Sequence, residues 1–226
     1  MLDSRFGIEE ATEPPATTAS AIIQLFRRRR AVEYWPLLLA PVVLGGVFVV
    51  RSFHLTHLLN KVILEQMAVV LTSLAAVGFG LRYREQRRTV DLLLTLLAIA
   101  FTCREIHFAG SGVGIYVALV VLIALGVRWR EALIEELSFD RRLPWVLGAA
   151  WAYFLSQFVA RRALRGILPL EEELHIPIEE TLETAAHVML LLVAVMPSSP
   201  KSAVKKPGRR SWEVVHGVGN EANASR

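Results

Sequence analysis

The chain of 226 residues holds one cysteine, Cys103, so no internal disulfide can form and packing and polar contacts must carry the fold. It lacks the short motifs that announce common chemistries: there is no H-E-x-x-H, no G-x-S-x-G and no Walker sequence. No internal repeat is visible, which argues against an inverted-repeat transporter. No nucleic-acid module accompanies the net charge of +4, so that charge needs another explanation. Between Gly112 and Val127 there is no charged residue at all.

What the chain has in quantity is apolar sequence, 54% of the total. Crossing a bilayer core takes about 20 apolar helical residues, with a range of roughly 17 to 25. Six runs come near this length: Trp35–Phe53, Val62–Leu81, Thr89–Phe108, Gly112–Val127, Leu143–Ala160 and Ile178–Met196. The first carries Pro36 and Pro41 and follows Arg27–Arg30. It begins far into the chain and has no small-x-small site before polar sequence, so it reads as an uncleaved span rather than a signal peptide. The expected fold is all-α, a polytopic membrane bundle of six transmembrane helices over 19–196. Residues 1–18 and 197–226 are polar and Pro-, Ser- or Lys-rich, and read as disordered tails. Arg128–Arg142 has the spacing of a short connector helix. Gly110, Gly114 and Ala118 recur every four residues and predict a packing seam on the fourth span.

Charge orients the bundle. With the N-terminus inside, the inner segments hold 19 of the 25 Lys and Arg residues. Lys and Arg beside spans mark the cytoplasmic face, so both termini are expected there, next to anionic lipid headgroups. His54, His57, His107, His175 and His187 fall in the outer half, with Glu65, Glu105, Glu171–Glu173, Glu179, Glu180 and Glu183. The net charge of +4 thus hides a polarised molecule.

The sixth run opens Pro177-Ile178-Glu179-Glu180-Thr181-Leu182-Glu183 and continues to His187. Glu180, Glu183 and His187 are three and four residues apart and share a helix face. The step from Ile178 to His187 rises ~13 Å at ~1.5 Å per residue, about half of a ~30 Å hydrocarbon core. His187 therefore falls near the midplane, where a charged group costs ~2.5–3.5 kcal/mol and polar residues turn inward. Acids just after Pro177 suit a positive helix N-terminus, which accounts for Glu179 and Glu180 but not for Glu183 or His187.

Other spans supply matching groups. The third ends Arg104-Glu105-Ile106-His107; on an ideal helix Arg104 points away from Glu105, and His107 lies nearly opposite it. The second carries Glu65. The fifth carries Tyr153, Gln157 and Arg161 at steps of four, with Arg161 placed to neutralise an acid. The candidate site is Glu65, Glu105, His107, Glu183 and His187, supported by Arg104, Tyr153, Gln157, Arg161 and Glu180. Three uses are open. Glu183, His187 and Glu105 could hold a divalent metal such as Zn, Fe or Mn; Glu beside His could relay protons; or buried ion pairs could fix helix register.

The pairing of Arg104-Glu105-Ile106-His107 with Glu179-Glu180-Thr181-Leu182-Glu183 resembles a group of uncharacterised bacterial multi-pass membrane proteins, over Val62 to Met196. That resemblance implies an inner-membrane location and brings no activity with it. A looser likeness is to the seven-span membrane hydrolases that include alkaline ceramidases and adiponectin-type receptors, but six spans and the lack of H-x-x-x-H in the last one carry no residue across. The expected role is structural or in assembly, with a membrane protein partner and no nucleic acid. A metal-dependent hydrolase of a lipid-like substrate and a proton- or cation-coupled transporter are the alternatives.

Overall fold

The computed structural model describes Ile23 and residues 31–55, 60–106, 111–138, 140–163 and 171–197. The expected tails at 1–18 and beyond Pro197, together with His57, His107 and Gly110, lie outside the described residues. All regular structure among the described residues is helical.

A 3-10 segment, Ala31–Leu38, leads into α1, Leu39–Ser52. Pro36 lies in the tight segment and Pro41 in the first turn of α1, where a missing N–H costs little. Helix α2, Lys61–Gln86, starts at Asn60, whose side-chain oxygen accepts from the Val62 N–H at 3.0 Å, and stops at Arg87 in the left-handed region. Helix α3, Thr89–Glu105, has no cap of its own. Its cap comes from α5, where the Glu136 carboxylate accepts from the N–H groups of Thr89 and Val90 at 3.0 and 2.9 Å. Helices α4, Ser111–Arg128, and α5, Arg130–Ser138, meet at 81°. Then come α6, Leu143–Ala160, and α7, Glu171–Val195. The connector expected over Arg128–Arg142 is therefore the nine-residue α5.

The bundle's surface is apolar where a soluble protein's would be polar. On α2, Val62, Ile63, Met67, Val70, Leu74, Val77 and Leu81 are exposed, while Ala68, Leu71, Thr72, Ala75 and Phe79 are buried. Both sets follow the helical period, so one stripe faces the core and the other faces outward, with Gln66 the one polar side chain exposed between Ile63 and Leu81. Helix α4 likewise exposes Val113, Val117, Val120, Val121, Ile123 and Val127. Contiguous apolar surface of this extent belongs against lipid or a partner.

Three helices are long and apolar enough to cross a membrane: Ala31–Ser52, Lys61–Gln86 and Leu143–Ala160. A fourth is reached if the bent α4–α5 pair is one span. By length and composition the count is thus three or four rather than the expected six, and the reason is local. Helix α3 ends after 17 residues with Asp91, Arg104 and Glu105 among them, and the first half of α7 is dense with glutamates. Helix α7 also starts earlier than expected, so Pro177 lies inside it and Glu179 and Glu180 are not first-turn acids. The small-residue seam of α4 does not pack either: nothing stands within 4 Å of where a Cβ on Gly112 or Gly114 would be.

Helix α7 is the centre, lying against α1, α2 and α6, with Ile178, Leu182, Ala186 and Val193 fully buried. Close approach is allowed by glycine at two crossings. A Cβ on Gly148 of α6 would stand 3.0 Å from the Pro36 carbonyl oxygen, and one on Gly78 of α2 would stand 3.1 Å from the Ala194 Cβ. Helix α3 is different. It packs closely on α2 and α4, but its backbone has few close contacts with α6 or α7, and long side chains make those links.

Gly148→Ala is expected to cost ~1–3 kcal/mol, the usual range for overpacking, because the backbone it meets cannot rotate away. Gly46→Ala, with open space around it, is expected to be neutral or to stabilise by up to ~1 kcal/mol. Unfolding titrations of the two purified variants in detergent check both; equal behaviour would remove the close crossing from the account.

Candidate functional site

Helices α3, α6 and α7 bring together two tiers of side chains. Phe101 and Arg104 lie three apart on α3, Tyr153 and Gln157 four apart on α6, and Glu183 and His187 four apart on α7. Each pair therefore stands on one face of its helix. Arg104, Gln157 and Glu183 form a polar tier, and Phe101, Tyr153 and His187 an aromatic one a turn deeper.

In the polar tier Arg104 grips Glu183 with both terminal nitrogens, Nη2 to Oε1 at 3.0 Å and Nη1 to Oε2 at 3.1 Å. Nη1 also donates to Glu105 Oε1 at 3.3 Å. The Gln157 amide donates to Glu183 Oε1 at 3.1 Å, and the Ser156 hydroxyl, which donates to the Tyr153 carbonyl at 2.8 Å, lies 3.4 Å from the same oxygen. Glu183 is 5% exposed and Glu105 8%, so this is a buried, bidentate pair with a neutral amide also donating to it. In the aromatic tier Phe101 and Tyr153 stack at 4.3 Å, and His187 sets its edge against both rings. His187 is fully buried, and neither of its ring nitrogens nor the Tyr153 hydroxyl has a hydrogen-bond partner among the described residues.

The sequence-derived set is thus divided. Glu183, Glu105 and Arg104 meet, with Arg104 at the centre rather than turned away, because its long side chain reaches back across the helix end. Gln157 joins them directly. His187 and Tyr153 pack below without bonding to the acids. Glu65 and Glu180 belong to a separate cluster around Lys61, at 3.4 and 3.9 Å. Arg161 meets no acid among the described residues; its Nη2 lies 3.5 Å from the Tyr116 hydroxyl on α4. Among the described residues no three His, Cys, Asp or Glu side chains converge as metal ligands, and Glu183, proposed as one ligand, already spends both oxygens on Arg104. The arrangement joins three helices by charge; it leaves no free carboxylate oxygen positioned as a base.

Sequence reasoning missed a second buried network at the opposite end. Arg142, at the start of α6, donates from Nε and Nη2 to Asp140 at 2.7–3.1 Å and from Nη1 to Asp91 of α3 at 2.7 Å. Arg88 reaches the same Asp140 oxygen at 3.0 Å and donates to the Glu136 carbonyl at 2.9 Å. All four charged groups are at most 4% exposed and their formal charges cancel. The available signal was Asp91 within an apolar run and Asp140 on the basic side, acids where the topology calls for bases.

Beside the two tiers, α3, α4 and α6 border a pocket of about 430 Å³. Leu97, Leu119, Ala150 and Phe154 line it, with Arg104 and Gln157 at one end. Comparison with protein-family models, with curated proteins and with solved structures finds no match for the chain.

Burial alone would raise the Asp140 carboxyl, but hydrogen bonds from Arg142 and the charges of Arg142 and Arg88 outweigh it and hold the group below the usual carboxylate range. The unfolded chain then binds this proton more readily than the folded one. The stabilisation is whole above the unfolded value of about 3.9 and is lost as pH falls through the lower folded value. Asp140→Asn is expected to lower stability at pH 7 by ~3–5 kcal/mol, the cost of breaking a buried pair, and to flatten the acid limb. Thermal midpoints of both proteins across acid and neutral pH measure this; parallel curves would show that Asp140 carries no such linkage.

Proposed function

We propose that the chain is an integral membrane protein of six spans, set in a bacterial inner membrane with both termini cytoplasmic, and that its role is structural or in assembly. The observation that carries the role is the bidentate hold on the Glu183 carboxylate: Arg104 engages both of its oxygens and Gln157 donates to one of them, from two other helices. A group engaged this fully holds helices in register, as buried ion pairs do in other bundles. Hydrolysis would require an accessible base or metal ligand at Glu183, and cation transport a carboxylate that exchanges partners; both run against this geometry.

Two observations support six spans. Helix α3, at 17 residues, is at the lower end of what crosses a ~30 Å core. The deepest glutamate of α7 is matched by Arg104, and Glu180 lies near Lys61, which lowers the cost of placing that end in the membrane. The bundle also has two distinct ends. Arg82, Arg88 and Arg142 bind at one end; Lys61, Arg104 and Arg161 bind at the other. The excess of Lys and Arg beside the first end assigns it to the cytoplasm.

Orientation is tested by cysteine labelling in a Cys103→Ser background, using an impermeant maleimide on intact cells. Asn60→Cys, Ile106→Cys and Arg162→Cys are expected to label, and Gln86→Cys and Glu131→Cys only after lysis. Protection of Ile106→Cys would mean that α3 does not cross.

The structural role is tested by Arg104→Met and Glu183→Leu, singly and together. Each single change is expected to cost ~3–5 kcal/mol, and the double change to recover much of it because neither member of the bidentate pair is left orphaned, Glu105 alone losing its 3.3 Å contact with Arg104. Cells carrying the double variant should grow as wild type. A stable double variant with the phenotype of a deletion would transfer Glu183 to chemistry, and stoichiometric bound metal lost in His187→Ala would do the same.

A further inference from the structure

The pocket beside the tiers has a shape and polarity that the structural role does not use. Along α3 it runs from Leu94 to Arg104 and along α6 from Val146 to Gln157. Ten or eleven helical residues rise ~15 Å at ~1.5 Å each, which is half of a ~30 Å hydrocarbon core. It is therefore about as long as one leaflet is thick, centred along α6 and confined on α4 to the half, Gly112 to Leu119, nearer the acidic end. Its side is open. Helix α4 rests on α3 and α5 but does not pack closely on α6, and Phe154 and Tyr116, which flank the gap, are 51% and 54% exposed.

Polarity is graded along this length. The deep part is lined by leucine, valine and alanine, Tyr153 stands midway, and charged and amide groups gather at the outer end, where Arg104 and Gln157 stand with Tyr116. Arg104 is already committed to Glu183 and Glu105, and those three groups together carry a net negative charge. The cation with capacity to spare is Arg161, exposed at the mouth, with Tyr116 as its only polar contact and no carboxylate partner among the described residues. Arg162 beside it is exposed as well.

We propose that this pocket seats one acyl chain of an anionic phospholipid drawn from the outer leaflet, with the headgroup phosphate on Arg161. The proposal rests on the six-span membrane reading above. Apolar contact alone gives no preference here, because a chain leaving the bilayer for the pocket exchanges one apolar surrounding for another. Selection must come from the fit of the pocket and from the guanidinium, whose donors suit phosphate oxygens. Arg161 and Tyr116 lie on α6 and α4, so a bound headgroup would also bridge the two helices that the protein itself leaves apart.

The test uses the full-length protein in phosphatidylcholine nanodiscs containing a minor fraction of a phospholipid with a photoactivatable diazirine in one chain. The headgroup is either phosphatidylglycerol or phosphatidylcholine, and the labelled peptides are mapped. Labelling by the phosphatidylglycerol probe is expected to be several-fold higher at Leu119, Ala150 and Phe154 than at Val70 and Leu74 on the exposed stripe of α2. Ala150→Trp, and independently Leu119→Trp, should fill the pocket and cut its labelling several-fold while leaving Val70 and Leu74 unchanged. Arg161→Ala should bring the two probes level. Labelling of the pocket no greater than that of the α2 stripe, labelling indifferent to both tryptophans, or equal labelling by the two probes in the wild-type protein overturns the proposal and leaves the membrane bundle standing. Absence of labelling at both the pocket and the α2 stripe overturns the membrane reading and the pocket with it.

Discussion

The Arg142 guanidinium, held between Asp140 and Asp91, is the interaction that the rest of the bundle depends on. Helix α3 packs on α2 and α4 but has few close backbone contacts with α6 or α7, so its register against those two helices is set by side chains long enough to cross the gap. At the basic end Arg142 makes that crossing, and it is fixed before it does so: its Nε, Nη2 and backbone N–H are all held by Asp140, two residues away. Nη1 is the nitrogen left to reach across, and it donates to Asp91. Because Arg88 also binds Asp140 while the neighbouring Thr89 and Val90 are capped by Glu136, the same few contacts set the start of α3, the angle of α5 and the start of α6. Charge balance makes this affordable in a buried place, since two arginines meet two aspartates and the group as a whole is neutral.

At the other end Arg104 does the corresponding work with a different balance. It serves two carboxylates, so a formal negative charge remains, which Gln157 softens as a neutral donor. The aromatic tier beneath gives Glu183 a dry floor. Phe101, Tyr153 and His187 come from the same three helices as the charges above them, one turn away, so the spacing that aligns one tier aligns the other. A shift of any of these helices by one residue would break both tiers, and this coupling makes an ion pair a specifier of register.

Much of this was legible in the sequence where a period or a local count carried it. The alternation of buried and exposed stripes on α2 follows from its spacing of large and small apolar residues, and the shared face of Glu183 and His187 follows from a separation of four. What was not legible depended on reach and on distant pairing. Arg104 seemed misdirected on an ideal helix because the wheel gives the direction of Cβ and ignores a long flexible side chain. Asp91 and Arg142 are 51 residues apart, and Arg88 and Arg142 had been read only as topological charges. The start of α7 was misplaced because a proline was taken as a beginning; Pro177 instead sits inside the helix, and its carbonyl accepts from Thr181 at 2.6 Å.

The same mode of attachment accounts for the pocket. Where two helices meet through glycine or alanine, as α6 does with the 3-10 segment at Gly148, the backbones touch and no space is left. Where they meet through arginine at one level and stacked rings at another, the intervening length is spanned but not filled. Helix α4 could close that space, yet Gly112 and Gly114 meet nothing and its valines face outward. The bundle is therefore tight around α7 and open along α3, and the open side is the one flanked by Arg161, which has no carboxylate partner among the described residues. Rigid register on one side of α3 and an unfilled groove on the other have one physical cause: side-chain bridges fix distance without excluding volume.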